Sequence, residues 1–271
     1  MWAFHQLMDI FAEAVRGEDA RLRLEQAVHG VDSYDEVALH PVFSASLAEA
    51  GFGVLRETPY PTTWKQKSWR ADQGNGLPLP RQRERCDLVV LERTGMTLAD
   101  SHAIEKNSRK VKAELAGTLF EQLLPVTPVK PASLDALAGE CQAWTARSSN
   151  PGETAQAKPE EALWVEIKVL GQYEFADGVP VPNGAYASRL VRGVVSDLAK
   201  LATDVSISHS AVLLILFAAD EEVARHDVFQ AWHRCLDRDL PIASPMLRVV
   251  PISDRIGNTV CVLTAFSMRA T

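Results

Sequence analysis

Cysteine is scarce in this chain: Cys86, Cys141, Cys235 and Cys261 are all it has, and no two form a C-x-x-C pair or sit at zinc-ligand spacing with a histidine. That scatter excludes a zinc ribbon and a disulfide framework, leaving reduced structural thiols as the default. Long apolar runs are also missing. The most apolar stretch, Ala211 to Ala219, has the length of a central strand rather than of a membrane span. The first residues, MWAFHQLMDIFAEAVRGEDARLRLEQ, lack an early basic region and break their apolar pattern with acids. They read as an amphipathic helix and not as a secretory leader, so the expected location is cytoplasmic, without membrane association. Positive charge is in deficit, with 28 Lys and Arg against 35 Asp and Glu and a net charge of -7. A general nucleic-acid coat protein is thereby excluded, because its affinity rests on neutralising phosphates with a basic surface. An enzyme with a local basic cleft is not, since a carboxylate-rich metal site itself adds negative charge. No G-x-x-x-x-G-K-[ST] loop occurs, so any ATP-driven motor would be a separate chain.

The chain does have enough apolar material for a core: 271 residues, 46% of them hydrophobic, suffice for one large domain or two small ones. Residues 1 to about 28 have helical patterning, and residues 1–31 are expected to form an N-terminal helical segment ahead of a main domain over 32–271. Asp32-Ser33 followed by Glu36 offers a cap for a second helix reaching about Ala50, which Gly51 and Gly53 end. Val54 to Thr58 reads as a short strand closed by Pro59 and Pro61, and Arg85 to Glu92 as a second strand with a dense apolar centre.

Between 94 and 160 the character changes. A helix is predicted over 98–124, prolines punctuate the residues after it, a shorter helix fits 133–146, and SSNPGETAQAKPEEA reads as a solvated linker. The whole stretch is expected to be a helical insertion, a lid or a surface for a protein partner. Beyond it come a strand over 163–170, a Gly/Pro loop to Gly184, and a helix from about Tyr186 to Thr203 with apolar residues at helical spacing. A buried strand from Ser210 to Ala219, a helix from Glu221 to Leu236 and a final strand from Asn258 to Met268 complete the pattern. This order predicts an α/β protein with a mixed central β-sheet flanked by helices.

Within the 163–170 strand, Trp164-Val165-Glu166-Ile167-Lys168 sets an acid and a lysine two residues apart, which is the strand repeat. Glu166 and Lys168 therefore share one face while Val165, Ile167 and Val169 take the other. Charges beside so much apolar surface are costly unless a partner, a metal or a substrate satisfies them. Asp87 opens the other apolar strand, and Glu36 lies on the helix before both. If the two strands are neighbours, Asp87 and Glu166 can hold a hard divalent cation, with Lys168 beside it as a compact positive charge. Such a cation polarises a phosphoryl group and lowers the pKa of a bound water. Lysine then orients or deprotonates that water, or stabilises charge on the phosphate.

With RCDLVV supplying the first acid, WVEIK the acid-x-lysine element, and Glu36 in SYDEVALHPVFSASLAEAG a helical acid, the chain resembles the PD-(D/E)XK nuclease superfamily. Glu57 in VLRETPYP falls where an early-strand acid often stands in that superfamily. The resemblance implies a restriction-endonuclease-like core with a helical insertion, and Mg or Mn as cofactor. It implies metal binding by Asp87, Glu166, the Ile167 backbone carbonyl and Glu36, a catalytic role for Lys168, and hydrolysis of DNA phosphodiesters in restriction, defence or repair. Cutting both strands of a duplex would call for a homodimer, as two phosphates need two sites. All of this requires residues 94–160 to leave and re-enter the sheet at one point.

Parity adds a candidate nucleic-acid wall. Arg81, Arg83 and Arg85 share the phase of Asp87, and guanidinium forks suit phosphate oxygens. Upstream, YPTTWKQKSWR interleaves Tyr60, Trp64 and Trp69 with Lys65, Lys67 and Arg70, a mixture able to combine base stacking with backbone contacts. The plainer readings stay open: the arginines as a salt-bridged strand, the tryptophans as loop anchors, Asp87 as a cap, His40 as a packing residue. A second function class stays open with them, a catalytically inactive member of the same fold acting as a nucleic-acid- or protein-binding subunit.

Overall fold

The computed structural model describes residues 2–61, 85–99 and 155–269. Six strands make its central sheet: β1 (Gly53–Pro59), β2 (Arg85–Leu91), β5 (Leu163–Gly171), β8 (His209–Ala218), β9 (Met246–Pro251) and β10 (Val260–Ser267). They lie in the order β1-β2-β5-β8-β10-β9. In this sheet only β5 and β8 are parallel; every other neighbouring pair is antiparallel. β8 owes its central place to HSAVLLILFA, an unbroken apolar run that stays buried on both faces. Among the described residues four helices cover the sheet: α1 (Phe4–Leu24), α2 (Glu36–Glu49), α3 (Tyr186–Ala202) and α4 (Glu221–Leu236).

Strand alternation divides the core into two layers. On one side Leu88, Val90, Val165, Ile167, Leu213 and Ile215 pack with α1 and α2. On the other, Val89, Leu91, Trp164, Leu170, Val212 and Leu214 pack with α3 and α4. α1, read from the sequence as an N-terminal segment, belongs to the first layer through Leu7, Phe11 and Val15. Each fully buried aliphatic or aromatic side chain contributes about 1.5–3 kcal/mol.

Several local expectations are corrected. The α2 cap is Asp35, whose side chain accepts from the Ala38 N–H at 2.8 Å, because Asp32 and Ser33 are used in a short 3-10 turn, Val31–Ser33. Asp32 instead turns inward to Asn258, whose Nδ2 donates to it at 3.0 Å. Leu98 is not helical; with Thr97 it forms β3 (Thr97–Leu98), which pairs in parallel with β4 (Gln156–Ala157), a strand inside the stretch expected to be linker. The Gly/Pro loop after β5 contains a hairpin of β6 (Tyr173–Ala176) and β7 (Val179–Pro182). Asp177-Gly178 makes its two-residue turn, both with positive φ, as an Asp-Gly turn of this kind requires. β9 has no counterpart among the strands read from the sequence. The helix over 133–146, and that over 98–124 beyond its start, lie outside the described residues. Among the described residues no helix is long and apolar enough to cross a membrane.

Candidate functional site

The site forms where β2 and β5 part. Their ladder runs through Val90↔Leu163, Val89↔Trp164 and Leu88↔Val165 and stops there, so Asp87 and Glu166 are the first residues beyond the fork. The two strands on which the metal reading depends are therefore neighbours. At the fork Asp87 takes over the work of a ladder carbonyl: its Oδ2 accepts the Ile167 N–H at 2.7 Å. Its other oxygen, Oδ1, is left for the cleft.

Glu166 is buried and its Oε1 is claimed twice. Lys200 of α3 approaches it at 2.7 Å, and the Tyr60 hydroxyl donates a short hydrogen bond to the same atom. Tyr60 lies inside the protein, stacked on Trp164 with ring centroids 5.9 Å apart and with Lys200 Nζ 4.9 Å from its own centroid. A base-stacking role for Tyr60 is thereby overturned, since a ring packed in this way has no face to offer a ligand. Lys168 does not pair with Glu166, although both side chains leave the same face. It reaches Glu36 Oε1 at 3.0 Å and Asp197 Oδ2 at 3.1 Å, tying α2 to α3 past the fork. Gly193 makes room for its stem: a Cβ there would meet Lys168 Cδ at 3.1 Å.

On the far side of Asp87 stands a group that the sequence did not assemble. His40 of α2, 1% exposed, places Nε2 3.8 Å from Asp87 Oδ1 and Nδ1 3.5 Å from Glu57 Oε1. Both separations are too long for good hydrogen bonds, and neither ring nitrogen has a hydrogen-bond partner among the described residues. Ligand atoms of His40, Glu57 and Asp87 all lie within 4.8 Å of one another. Glu57 reaches this position with φ +50, a left-handed backbone that costs a non-glycine residue about 1–2 kcal/mol. It sits between the Arg56↔Leu88 and Thr58↔Cys86 pairs of β1 and β2, so the distortion falls opposite Asp87.

Charge is unbalanced at the fork. Among the described residues five carboxylates, Glu36, Glu57, Asp87, Glu166 and Asp197, gather around two ammonium groups, Lys168 and Lys200. Burial raises the Glu166 carboxyl to about 7, the Asp87 charge adds to the rise, and Lys200 and Tyr60 oppose it. Asp87 is raised as well, first by burial and then by Glu36 and Glu57, against the Ile167 N–H. Burial alone would lower both lysines, but Asp197 and Glu36 hold Lys168 above its ordinary value and Glu166 does the same for Lys200. His40 is pushed down by burial, which favours neutral imidazole, the form that binds metals.

Protein-family models, curated proteins and solved structures provide no match to this chain. The chemistry has to be read from the donor set alone. A buried carboxyl and a partly buried neighbour that resist losing both protons, beside an imidazole lacking hydrogen-bond partners among the described residues, suit a divalent cation, whose charge removes the repulsion between them. Glu36 is held by Lys168 at the rim of a cleft of about 460 Å³ that Arg189 also lines. Arg85 is exposed, its Nη1 donating to the Glu57 carbonyl at 2.6 Å. Arg81, Arg83, Lys65, Lys67 and Trp69 lie outside the described residues.

Sequence reading missed Lys200 and the inward turn of Tyr60; it leaves His40, one helical turn after Glu36, open both as a cleft residue and as a packing residue, and the structure sets it against Asp87 and Glu57. A signal for Lys200 existed in Gly193, Asp197 and Lys200, which recur at four- and three-residue spacing and so share one face of α3.

Proposed function

We propose that this protein is a metal-dependent phosphodiesterase with a restriction-endonuclease-like core, acting on DNA. The observation that carries the reading is the fork itself: Asp87 and Glu166 meet at the point where two buried strands separate, and Lys168, next on the same face of β5, is held between Glu36 and Asp197. A Mg or Mn ion held by Asp87, Glu166 and the Ile167 carbonyl would polarise a phosphate and lower the pKa of a bound water. Lys168, kept protonated by Glu36 and Asp197, supplies positive charge where a phosphate in attack gathers negative charge. Tyr60 and Lys200 are positioning residues, fixing the rotamer of Glu166. Arg85, exposed at the start of β2, would contact nucleic acid; Arg81, Arg83, Lys65, Lys67 and Trp69 are candidates for the same role from the sequence alone, and two copies of the chain would act on the two strands of a duplex.

One feature favours a second reading, a non-catalytic binding subunit of the same fold. Lys168 and Glu166 already have protein partners at salt-bridge distance, so the ion pairs near the fork are satisfied without substrate.

Nicking of supercoiled plasmid, with single-stranded DNA and RNA in parallel, separates the two. Cleavage that needs Mg or Mn and falls at least a hundredfold in Lys168→Ala and Asp87→Ala is expected. Wild-type protein that cuts none of these substrates, or variants that cut as well as wild type, would leave the binding reading in place.

A further inference from the structure

We propose that His40, Glu57 and Asp87 form a mixed nitrogen-oxygen metal site that takes a first-row transition ion such as Mn in preference to Mg. It shares Asp87 with the phosphodiesterase reading but requires no catalysis to exist.

The donor set decides the ion class. Mg demands oxygen ligands and keeps much of its water, whereas imidazole nitrogen is a ligand for first-row transition ions. His40 is nearly inaccessible to solvent, and neither of its nitrogens makes a hydrogen bond among the described residues. Burying an imidazole in this state carries a desolvation penalty, which is hard to account for by packing, because a leucine would fill the space without it. Both nitrogens face carboxylate oxygens, Nδ1 towards Glu57 and Nε2 towards Asp87. Asp87 presents only Oδ1 in that direction, its Oδ2 being fixed by the Ile167 N–H. An imidazole gives one nitrogen to an ion, and with one atom from each residue the three ligand atoms lie within 4.8 Å of one another. Ligands about 2.1 Å from an ion stand about 3.0–3.4 Å apart, and side-chain rotation of the half-exposed Glu57 can close the difference.

Glu57 adds an independent pointer. Its left-handed φ occurs in a residue that is neither Gly, Asn nor Asp, and strain of this kind persists only where the surroundings over-determine it. Here it sets the Glu57 carboxylate beside His40.

The test is Mn binding by the full-length protein, measured by calorimetry and by pulsed electron paramagnetic resonance. Wild type is expected to bind MnCl2 at least tenfold tighter than MgCl2 and to display nitrogen coupling to bound Mn. In His40→Ala and His40→Gln the coupling should vanish and Mn affinity fall at least tenfold, while Mg affinity stays within about threefold; Glu57→Gln should weaken Mn alone. Circular dichroism and thermal unfolding identify a variant that fails to fold, in which case the wild-type coupling decides. Bound Mn without nitrogen coupling, equal affinities for Mn and Mg, or no Mn binding would each overturn the proposal. Nitrogen-coupled Mn without cleavage of DNA or RNA would sink only the phosphodiesterase reading; Mg-dependent cleavage with no nitrogen coupling would sink only this one.

Discussion

Raising the pH of the cation-free protein should weaken it, and Glu166 sets the size of the effect. Its carboxyl titrates near 7 in the folded protein against 4.5 ordinarily. Below 4.5 both states hold the proton and this stability is fully present. Between those values the native state binds more protons than the unfolded state, so unfolding free energy falls as pH rises, and the contribution is gone once pH passes 7. At 1.36 kcal/mol per pH unit the gap amounts to about 3 kcal/mol, an upper figure because the pair with Asp87 spreads the titration. Urea unfolding between about pH 4.5 and 8 measures this, with Glu166→Gln as the control. The variant leaves Lys200 without its carboxylate and so has an offset of its own; the difference in pH slope, not in absolute stability, is the quantity to compare. A slope shared by wild type and variant would refute the assignment of the buried proton to this site. Saturating Mg or Mn should flatten the wild-type slope, since a cation replaces the proton and stabilises the native state by mass action.

Three further outcomes rest on the same geometry. Lys200→Met removes the charge that opposes the rise of Glu166, so the pH midpoint for divalent-cation binding should move upward in calorimetric titrations. Gly193→Ala should add up to about 1 kcal/mol of helix stability, yet a Cβ 3.1 Å from Lys168 Cδ displaces the ammonium, and plasmid nicking should fall about tenfold while thermal stability holds or rises. Glu57→Gly relieves a left-handed backbone and should raise the stability of the cation-free protein by about 1 kcal/mol while weakening Mn binding, which unfolding and calorimetry on one preparation can check.

Much of the scaffold is legible in the sequence because burial on both faces leaves a plain mark. LWVEIKVLG and HSAVLLILFA announce interior strands, and the parity of Glu166 with Lys168 follows from the pleat alone. β9, by contrast, is a short edge strand, MLRVVP, set among prolines that mask its alternation. The neighbourhood of Lys168 is hidden for a different reason. Which carboxylate a lysine meets depends on how α2 and α3 close over the fork, and Glu36 and Asp197 come from opposite layers. Lys200 cannot be told from a solvated lysine until α3 is docked, nor His40 from a packing histidine. The left-handed φ of Glu57 has no sequence signature, for glutamate rarely adopts it.

The parallel pairing of β3 and β4 gives the chain a seam. Thr97 donates to the Ala155 carbonyl at 3.0 Å and Ala99 to the Ala157 carbonyl at 2.7 Å, so the chain departs and returns through backbone atoms that are already bonded to one another. Whatever lies between is, for the sheet, a loop with its ends tied. Each doubling of such a loop costs only about 0.6 kcal/mol. A change in the length of the chain between Ala99 and Ala155 therefore costs the sheet little, and Asp87 and Glu166 keep their places through it.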